Sequence, residues 1–391
     1  MKKSLRKLFC LGLAVTLVAT AFSACGQKEE TKAKDKFYIG GTGPLTGGAA
    51  IYGNAVKNAA EIAVEEINAA GGINGYQVEF KFVDDEHNAE KAVSGYNILK
   101  DWGIQIMMGS VTSGPCTAVA DKTNLDSVFQ LTPSGSSTDC IVNDNVFQVC
   151  FSDPNQGSAS AKYIAENGLA EKVAVIYDSS TNYSSGIYET FKKQAEEDKK
   201  FEIAYTGSFT TTTNTDFSVQ LNAAKDAGAT LVFLPIYYSE ASTILTQANE
   251  MGYEPTFFGC DGLDGILGVE NFDTTLAEDV LLLTPFAADA TDDKTKAFVA
   301  KYKEKCNNEI PNQFAADAYD AMYILKEAIE DAKITPAMTN EQICEKLMGA
   351  IVKLSFDGLT GEDMTWVATG EVNKAPKAVV IKDGVYVSYT K

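Results

Sequence analysis

Short apolar runs alternating with longer amphipathic stretches constrain this chain more than any other feature. Residues 77–83 alternate polar Gln77, Glu79 and Lys81 with apolar Val78, Phe80 and Phe82, the two-residue period of a strand with one wet face. Ahead of them Val56, Ala59, Ala60, Ala63 and Ile67 recur at helical spacing, and Gly71-Gly72 ends that helix. Apolar runs at 104–108, 129–132, 173–177, 231–236 and 256–259 read as strands buried in a sheet. Amphipathic stretches at 159–167, 216–227 and 239–251 read as helices between them. Such alternation predicts an α/β fold of parallel sheets covered on both faces. Near the end, residues 379–381 and 385–387 flank Lys382-Asp383-Gly384, a hairpin on an Asp-Gly turn.

The first residues belong to a different problem. Lys2, Lys3, Arg6 and Lys7 precede an uncharged, mostly apolar stretch at 8–24 that closes on Phe22-Ser23-Ala24-Cys25. A membrane-spanning helix needs about 20 apolar residues. This stretch is shorter, has its basic flank on the N-terminal side and ends at small residues, as a secretion signal does. It predicts a lipoprotein signal at 1–24, with Cys25 acylated as the new N-terminus and Cys10 lost with the signal. Residues 25–36 mix both charge signs without a large apolar side chain, which predicts a flexible tether, with the folded part starting near Phe37. The expected location is extracytoplasmic, anchored to the cell membrane by lipid.

Removing residues 1–24 leaves 367 residues, too many for one typical core of roughly 100 to 200, so two lobes are expected. Four basic residues leave with the signal, moving the formal charge from −20 to −24. So acidic a chain repels nucleic acid and anionic lipid surfaces. Cys116, Cys140, Cys150, Cys260, Cys306 and Cys344 are widely spaced, lack CxxC spacing and read as buried free thiols, although export would permit disulfides.

In open parallel sheets ligands sit beyond the carboxyl ends of the strands. The strand ending at Met108 leads into Gly109-Ser110-Val111-Thr112-Ser113-Gly114-Pro115, with Pro115 placed to open a helix and Ser113 or Gly114 to cap it. A helix start with spare N–H groups and a hydroxyl attracts an anion. The next strand ends in Thr132-Pro133-Ser134-Gly135-Ser136-Ser137, a second hydroxyl loop, and an ordinary capped loop explains that cluster equally well. Further on, Tyr183 follows one strand and Asp261 follows another. Two hydroxyl loops facing an aromatic and a carboxylate suit a zwitterion.

Enzyme signatures are thin. His87 is the one histidine and reads as a surface residue in a polar loop. No GxSxG occurs, and no histidine partner is available for a serine triad. Asp84-Asp85-Glu86 reads as a solvated loop or cap rather than a cation site, and Gly41-Thr42-Gly43 with Gly47 departs from dinucleotide spacing. Neither a cofactor nor a metal is expected.

Residues 39–47, with Gly43-Pro44-Leu45-Thr46-Gly47 and then Tyr52-Gly53, are similar to the first strand and ligand loop of the branched-chain amino-acid binding family of ABC importers. Glu65-Glu66-Ile67-Asn68-Ala69-Ala70-Gly71-Gly72-Ile73-Asn74-Gly75 carries the most specific resemblance. Matches continue through Asp84-Asp85, residues 109–115, Thr132-Pro133-Ser134, Asp153 to Gln156-Gly157 and Tyr183-Ser184-Ser185-Gly186. The resemblance spans about 37–391 and implies a type I periplasmic-binding-protein fold: two doubly wound parallel-sheet lobes joined by a three-stranded hinge. Crossovers near Ser152, Pro285 and Asn373 would divide it into 37–152 and 286–373 for lobe 1, with 153–285 and 374–391 for lobe 2.

By the same resemblance, Ser113, Ser134 and Ser136 would hold an amino acid's head group from lobe 1. Tyr183 and Asp261 would close on it from lobe 2, and Tyr52 and Tyr237 would wall its side chain. Some family members have a disulfide where this chain has His87 and Thr112, and many have Glu where it has Asp261. The implied activity is capture of an L-amino acid, branched-chain or otherwise apolar, by a monomer that delivers it to a membrane permease without performing chemistry. A ligand sensor for another receptor, a binder of a different small carboxylate and an exported enzyme remain as alternatives.

Overall fold

In the computed structural model, which describes residues 34–389, the alternation resolves into two major sheets. The first is built by β1 (Phe37–Gly43), α1 (Ala50–Ala69), β2 (Val78–Asp84), α2 (Ala89–Trp102), β3 (Ile106–Met108), α3 (Ser113–Leu125), β4 (Phe129–Thr132) and β5 (Val146–Gln148). All five strands are parallel, in the order β2-β1-β3-β4-β5. The second sheet follows from α4 (Asp153–Asn167), β6 (Lys172–Asp178), α5 (Asn182–Asp198), β7 (Glu202–Phe209), α6 (Ser218–Asp226), β8 (Leu231–Leu234), α7 (Tyr238–Glu250), β9 (Thr256–Gly259) and β10 (Leu281–Thr284). Its parallel part runs β7-β6-β8-β9-β10, repeating the order of the first.

The chain then returns to the first lobe. Of α8 (Asp293–Lys305), α9 (Gln313–Asp331) and α10 (Asn340–Ile351), the first two pack on α1 and the third on β4. A small ribbon of β11 (Ser355–Phe356) and β12 (Met364–Thr365) precedes β13 (Lys377–Lys382) and β14 (Val385–Ser388), which extend the second sheet antiparallel from β10. The chain therefore passes between the lobes three times.

Burial explains the strand sequences. Every residue of β4, β8 and β10 is buried, so these strands read as continuous apolar runs, whereas the outer strands β2 and β7 are mostly half-exposed. The helical stripe of α1, from Val56 to Ile67, is buried in the core, and the Gly72 N–H closes the helix on the Ile67 carbonyl at 2.8 Å. The glycines of β1 serve packing. A Cβ on Gly41 would lie 2.4 Å from the Met108 carbonyl oxygen, and one on Gly43 would lie 2.4 Å from Val111. They let β3 and its loop close on β1.

Several boundaries differ from expectation. β8 stops at Leu234, because Pro235 has no N–H to give a ladder. β3 starts at Ile106 because Gln105 is spent on a lead-in, its amide accepting from Tyr38 N–H and donating to the Pro336 carbonyl. α3 starts at Ser113 rather than Pro115, with Thr112 as its flanking residue. α4 starts at Asp153, six residues before the expected helix, with Pro154 in its first turn. The six cysteines among the described residues are buried free thiols. Among the described residues no helix is long and apolar enough to cross a membrane. The signal, Cys10, Cys25 and most of the tether lie outside the described residues.

Candidate ligand-binding site

In each lobe the connection leaving the first strand, β1 or β6, runs one way along the sheet, and the connection leaving its neighbour, β3 or β8, runs the other way. The carboxyl ends of β1 and β3, and of β6 and β8, therefore open a crevice. The candidate residues stand at these ends: Tyr52 after β1, Ser113 after β3, Ser134 and Ser136 after β4, Tyr183 after β6, Tyr237 after β8 and Asp261 after β9. Local chemistry fixes the loops. Asp84 accepts from Leu45 N–H at 2.8 Å and from the Thr46 hydroxyl at 2.7 Å, fastening the β1 loop. A Cβ on Gly53 would meet the Pro44 carbonyl at 1.9 Å, so only glycine lets the first turn of α1 tuck under that loop.

On the first lobe the Ser113 hydroxyl accepts from Ser137 N–H at 3.2 Å, joining the two hydroxyl loops. Ser134 donates its hydroxyl to the Val111 carbonyl at 2.6 Å, which leaves it lone pairs but commits its proton to bracing the loop. The Ser136 carbonyl accepts from Asp153 N–H at 3.0 Å. All three serines are buried. The first turn of α3 adds N–H groups that have no partner within the helix.

On the second lobe Asp261 is the centre. Tyr183 donates to its Oδ1 at 2.7 Å and Gln156 to its Oδ2 at 2.9 Å. Burial raises its pKa to about 6, against the pull of those two donors. Tyr237 stacks on Tyr183 at 4.7 Å and 11°. Burial also pushes the phenols of Tyr52, Tyr183 and Tyr237 well above their ordinary value, so they act as neutral donors.

The lobes touch. Tyr52 donates to the Gly262 carbonyl at 2.6 Å and accepts from Tyr238 N–H at 3.3 Å, while Tyr238 accepts from Ile51 N–H at 3.2 Å. The Tyr52 ring lies 5.6 Å from Tyr237 and 4.3 Å from Phe314. Asn182 donates to Asp139 at 3.3 Å and to Thr117 at 3.4 Å. The lobes are thus closed on each other.

Three residues were not read correctly from sequence. Asp153 is 1% exposed and neither carboxylate oxygen has a hydrogen-bond partner. Burial pushes its pKa well above the usual range, with Ser136 alongside working the other way and the charge of Asp261 adding to the rise. Its sequence context, Ser-Asp-Pro, gives only the signal of a helix start. His87 is not a surface residue: it is half-buried, Nδ1 lies 2.9 Å from the Thr112 hydroxyl, and its ring stands edge-on to Tyr237 at 5.4 Å. Asp85 is not solvated either; it is fully buried, and desolvation raises it to about 7.

These residues follow one another around a ring. Ser113 meets the Ser136-Ser137 loop, which meets Asp153; Asp153 is near enough to Asp261 to feel its charge; then Tyr183, Tyr237, His87 and Thr112 lead back to Ser113. Such a ring offers hydroxyls and amides for a carboxylate on one side and two carboxylates for an ammonium on the other. Among the described residues no His, Cys, Asp and Glu cluster could hold a metal ion. Two cavities lie elsewhere, of about 750 Å³ between α5 and β7 and about 970 Å³ beside Lys374, and neither shares a residue with the ring.

Residues 36–384 match the periplasmic binding protein family. The "Leu/Ile/Val-binding protein homolog 3" of Brucella melitensis is 33% identical over 303 residues, 76% of this chain and 79% of its own. The leucine-, isoleucine-, valine-, threonine- and alanine-binding protein of Pseudomonas aeruginosa is 29% identical over 87% of this chain and 88% of its own. LivJ, the branched-chain amino acid transporter substrate binding protein of Streptococcus pneumoniae, solved in complex with isoleucine, matches with a TM-score of 0.80 at 29% identity, over 90% of this chain and 97% of that one. These relatives and fold neighbours are solute-binding proteins, not enzymes. With its two α/β lobes, the chain belongs to the periplasmic binding protein family, among the branched-chain amino-acid binding proteins of ABC transporters.

Proposed function

We propose that this chain is the lipid-anchored receptor of an ABC importer, held to the membrane through Cys25, and that as a monomer it captures a branched-chain or other apolar L-amino acid between its lobes. The observation that carries the reading is the pairing of a buried Asp261, held by Tyr183 and Gln156, with an unpartnered buried Asp153 beside it. An ammonium satisfies both. The ligand carboxylate goes to Ser113, Ser136 and the first-turn amides of α3, with Ser134 bracing that loop and able only to accept. Tyr52 and Tyr237 take the side chain. The sequence has no arginine after Arg6, so no guanidinium fork is available for a second ligand carboxylate, which favours monocarboxylates.

The lobes pivot at crossovers near Ser152, Pro285 and Asn373. Only the closed form makes contacts from both lobes, so ligand shifts the open–closed equilibrium toward closure and the permease reads the closed shape. A thermal-shift screen of refolded, ligand-stripped protein against the twenty L-amino acids and small aromatic acids tests this. At a hundred times its dissociation constant, a cognate ligand adds about 2.7 kcal/mol. A shift confined to leucine, isoleucine, valine and their neighbours is expected. A shift with aromatic acids alone, or with no amino acid, overturns the reading.

A further inference from the structure

The loop after β2 places the one histidine of the chain where only closure makes sense of it. Glu86 and His87 both adopt left-handed backbone conformations, at φ 50° and 57°, which cost residues with a Cβ. The fold holds them there: buried Asp85 accepts from His87 N–H at 3.0 Å, and its carbonyl accepts from Asn88 N–H at 2.8 Å. The result aims the imidazole across the cleft. Nδ1 meets the hydroxyl of Thr112, the residue before Ser113, and the ring meets Tyr237 of the opposite lobe at 89°.

We propose that His87 is a positioning residue for ligand specificity. On closure it braces Tyr237 from the first lobe and so fixes the aromatic wall against which an apolar ligand side chain rests. The inference rests on the cleft being the amino-acid site. It also couples closure to a proton. The charged groups around the imidazole are Asp84, Asp85 and Glu86 on its own loop, with Glu86 paired to Lys91; Asp178 at the end of β6; and Glu240 beside Tyr237 on α7. Burial lowers the histidine below its ordinary value, and Asp178 opposes that only in part. Closure on a ligand therefore expels a proton from His87.

The single imidazole makes the test direct: titrate its proton NMR signal in the full chain, with and without saturating leucine. The expected result is a pKa lowered by about half a unit or more on leucine binding. Calorimetry then compares leucine with glycine, which has no side chain to rest on the wall. His87→Ala is expected to weaken leucine about three- to tenfold, the range of one aromatic edge contact, and glycine by less than about twofold. His87→Phe, which keeps the edge contact, is expected to restore most of the leucine preference. An imidazole unmoved by bound leucine, or equal losses for leucine and glycine, overturns the proposal while leaving the cleft as the site. Failure of every amino acid to bind overturns both.

Discussion

Asp261 shows how one side chain carries the site. It is 2% exposed, its two oxygens already organise Tyr183 and Gln156, and its charge is felt by buried Asp153. Asp261→Ala removes the carboxylate and leaves the ligand ammonium, the tyrosine hydroxyl and the glutamine amide without their partner. The expected loss is on the order of 3 to 5 kcal/mol of binding free energy, a weakening of more than about a hundredfold, read by titration calorimetry. Unchanged affinity would remove Asp261 from the site. Ser113, Tyr183 and Asp261 were legible as candidates because each stands past the end of a strand, where a parallel sheet puts its ligands, while Tyr52 was legible only through the family resemblance. Asp153 and His87 were not, because what singles them out is burial by another lobe. Three acids in a row look solvated until Asp85 is seen packed under the His87 loop.

At the scale of elements, β4 and β9 matched their apolar runs to the residue; β4 is buried throughout and needs only continuous hydrophobicity, whereas β9 is buried only over its last two residues. β5, three residues long, was noticed only as a strand ending before the Phe151-Ser152-Asp153-Pro154 break, with no bounds of its own. The sequence also gave no hint of an internal repeat, yet the two lobes share one strand order; topology is duplicated where side-chain identity is not. The third crossover holds the least legible feature. The Lys374 side chain is fully buried against Asp317 at 2.8 Å and the Thr360 hydroxyl at 2.6 Å, and Asp320 accepts from Leu359 N–H, Thr360 N–H and the Thr360 hydroxyl. It ties α9 of one lobe to the strand β13 entering the other. Lys374→Met strands Asp317 and is expected to cost about 3 to 5 kcal/mol in urea unfolding. Lys374→Met with Asp317→Leu removes both charges, while Asp320 keeps its three donors, and should recover most of the loss. A double variant as unstable as the single one would show that the ion pair itself, rather than its uncompensated half, stabilises the hinge.

The whole molecule combines an acidic exterior with carboxylates that the fold buries. Desolvation raises Asp85 and Asp264 to about 7, and Asp261 and Asp317 to about 6. An unfolded Asp ionises near 3.9. Between that value and 6 to 7 the native state therefore holds more protons than the unfolded chain, and stability falls as pH rises through this window. Self-repulsion of a chain with formal charge −20 acts in the same direction. His87 acts oppositely, since its native value is lowered, but it is one group against these four and Asp153, which burial also raises. Calorimetric melting of ligand-free protein is expected to give its highest midpoint near pH 5 and a lower one at pH 8. Ligand reverses part of the trend. An ammonium beside Asp261 favours the ionised carboxylate, so stabilisation by saturating leucine should grow as pH rises through about 6, and the curves with and without leucine should diverge from pH 5 to pH 8. A ligand-free midpoint that climbed over this range would mean that the buried carboxylates are ionised in the native state, and that the fold compensates them without the ligand.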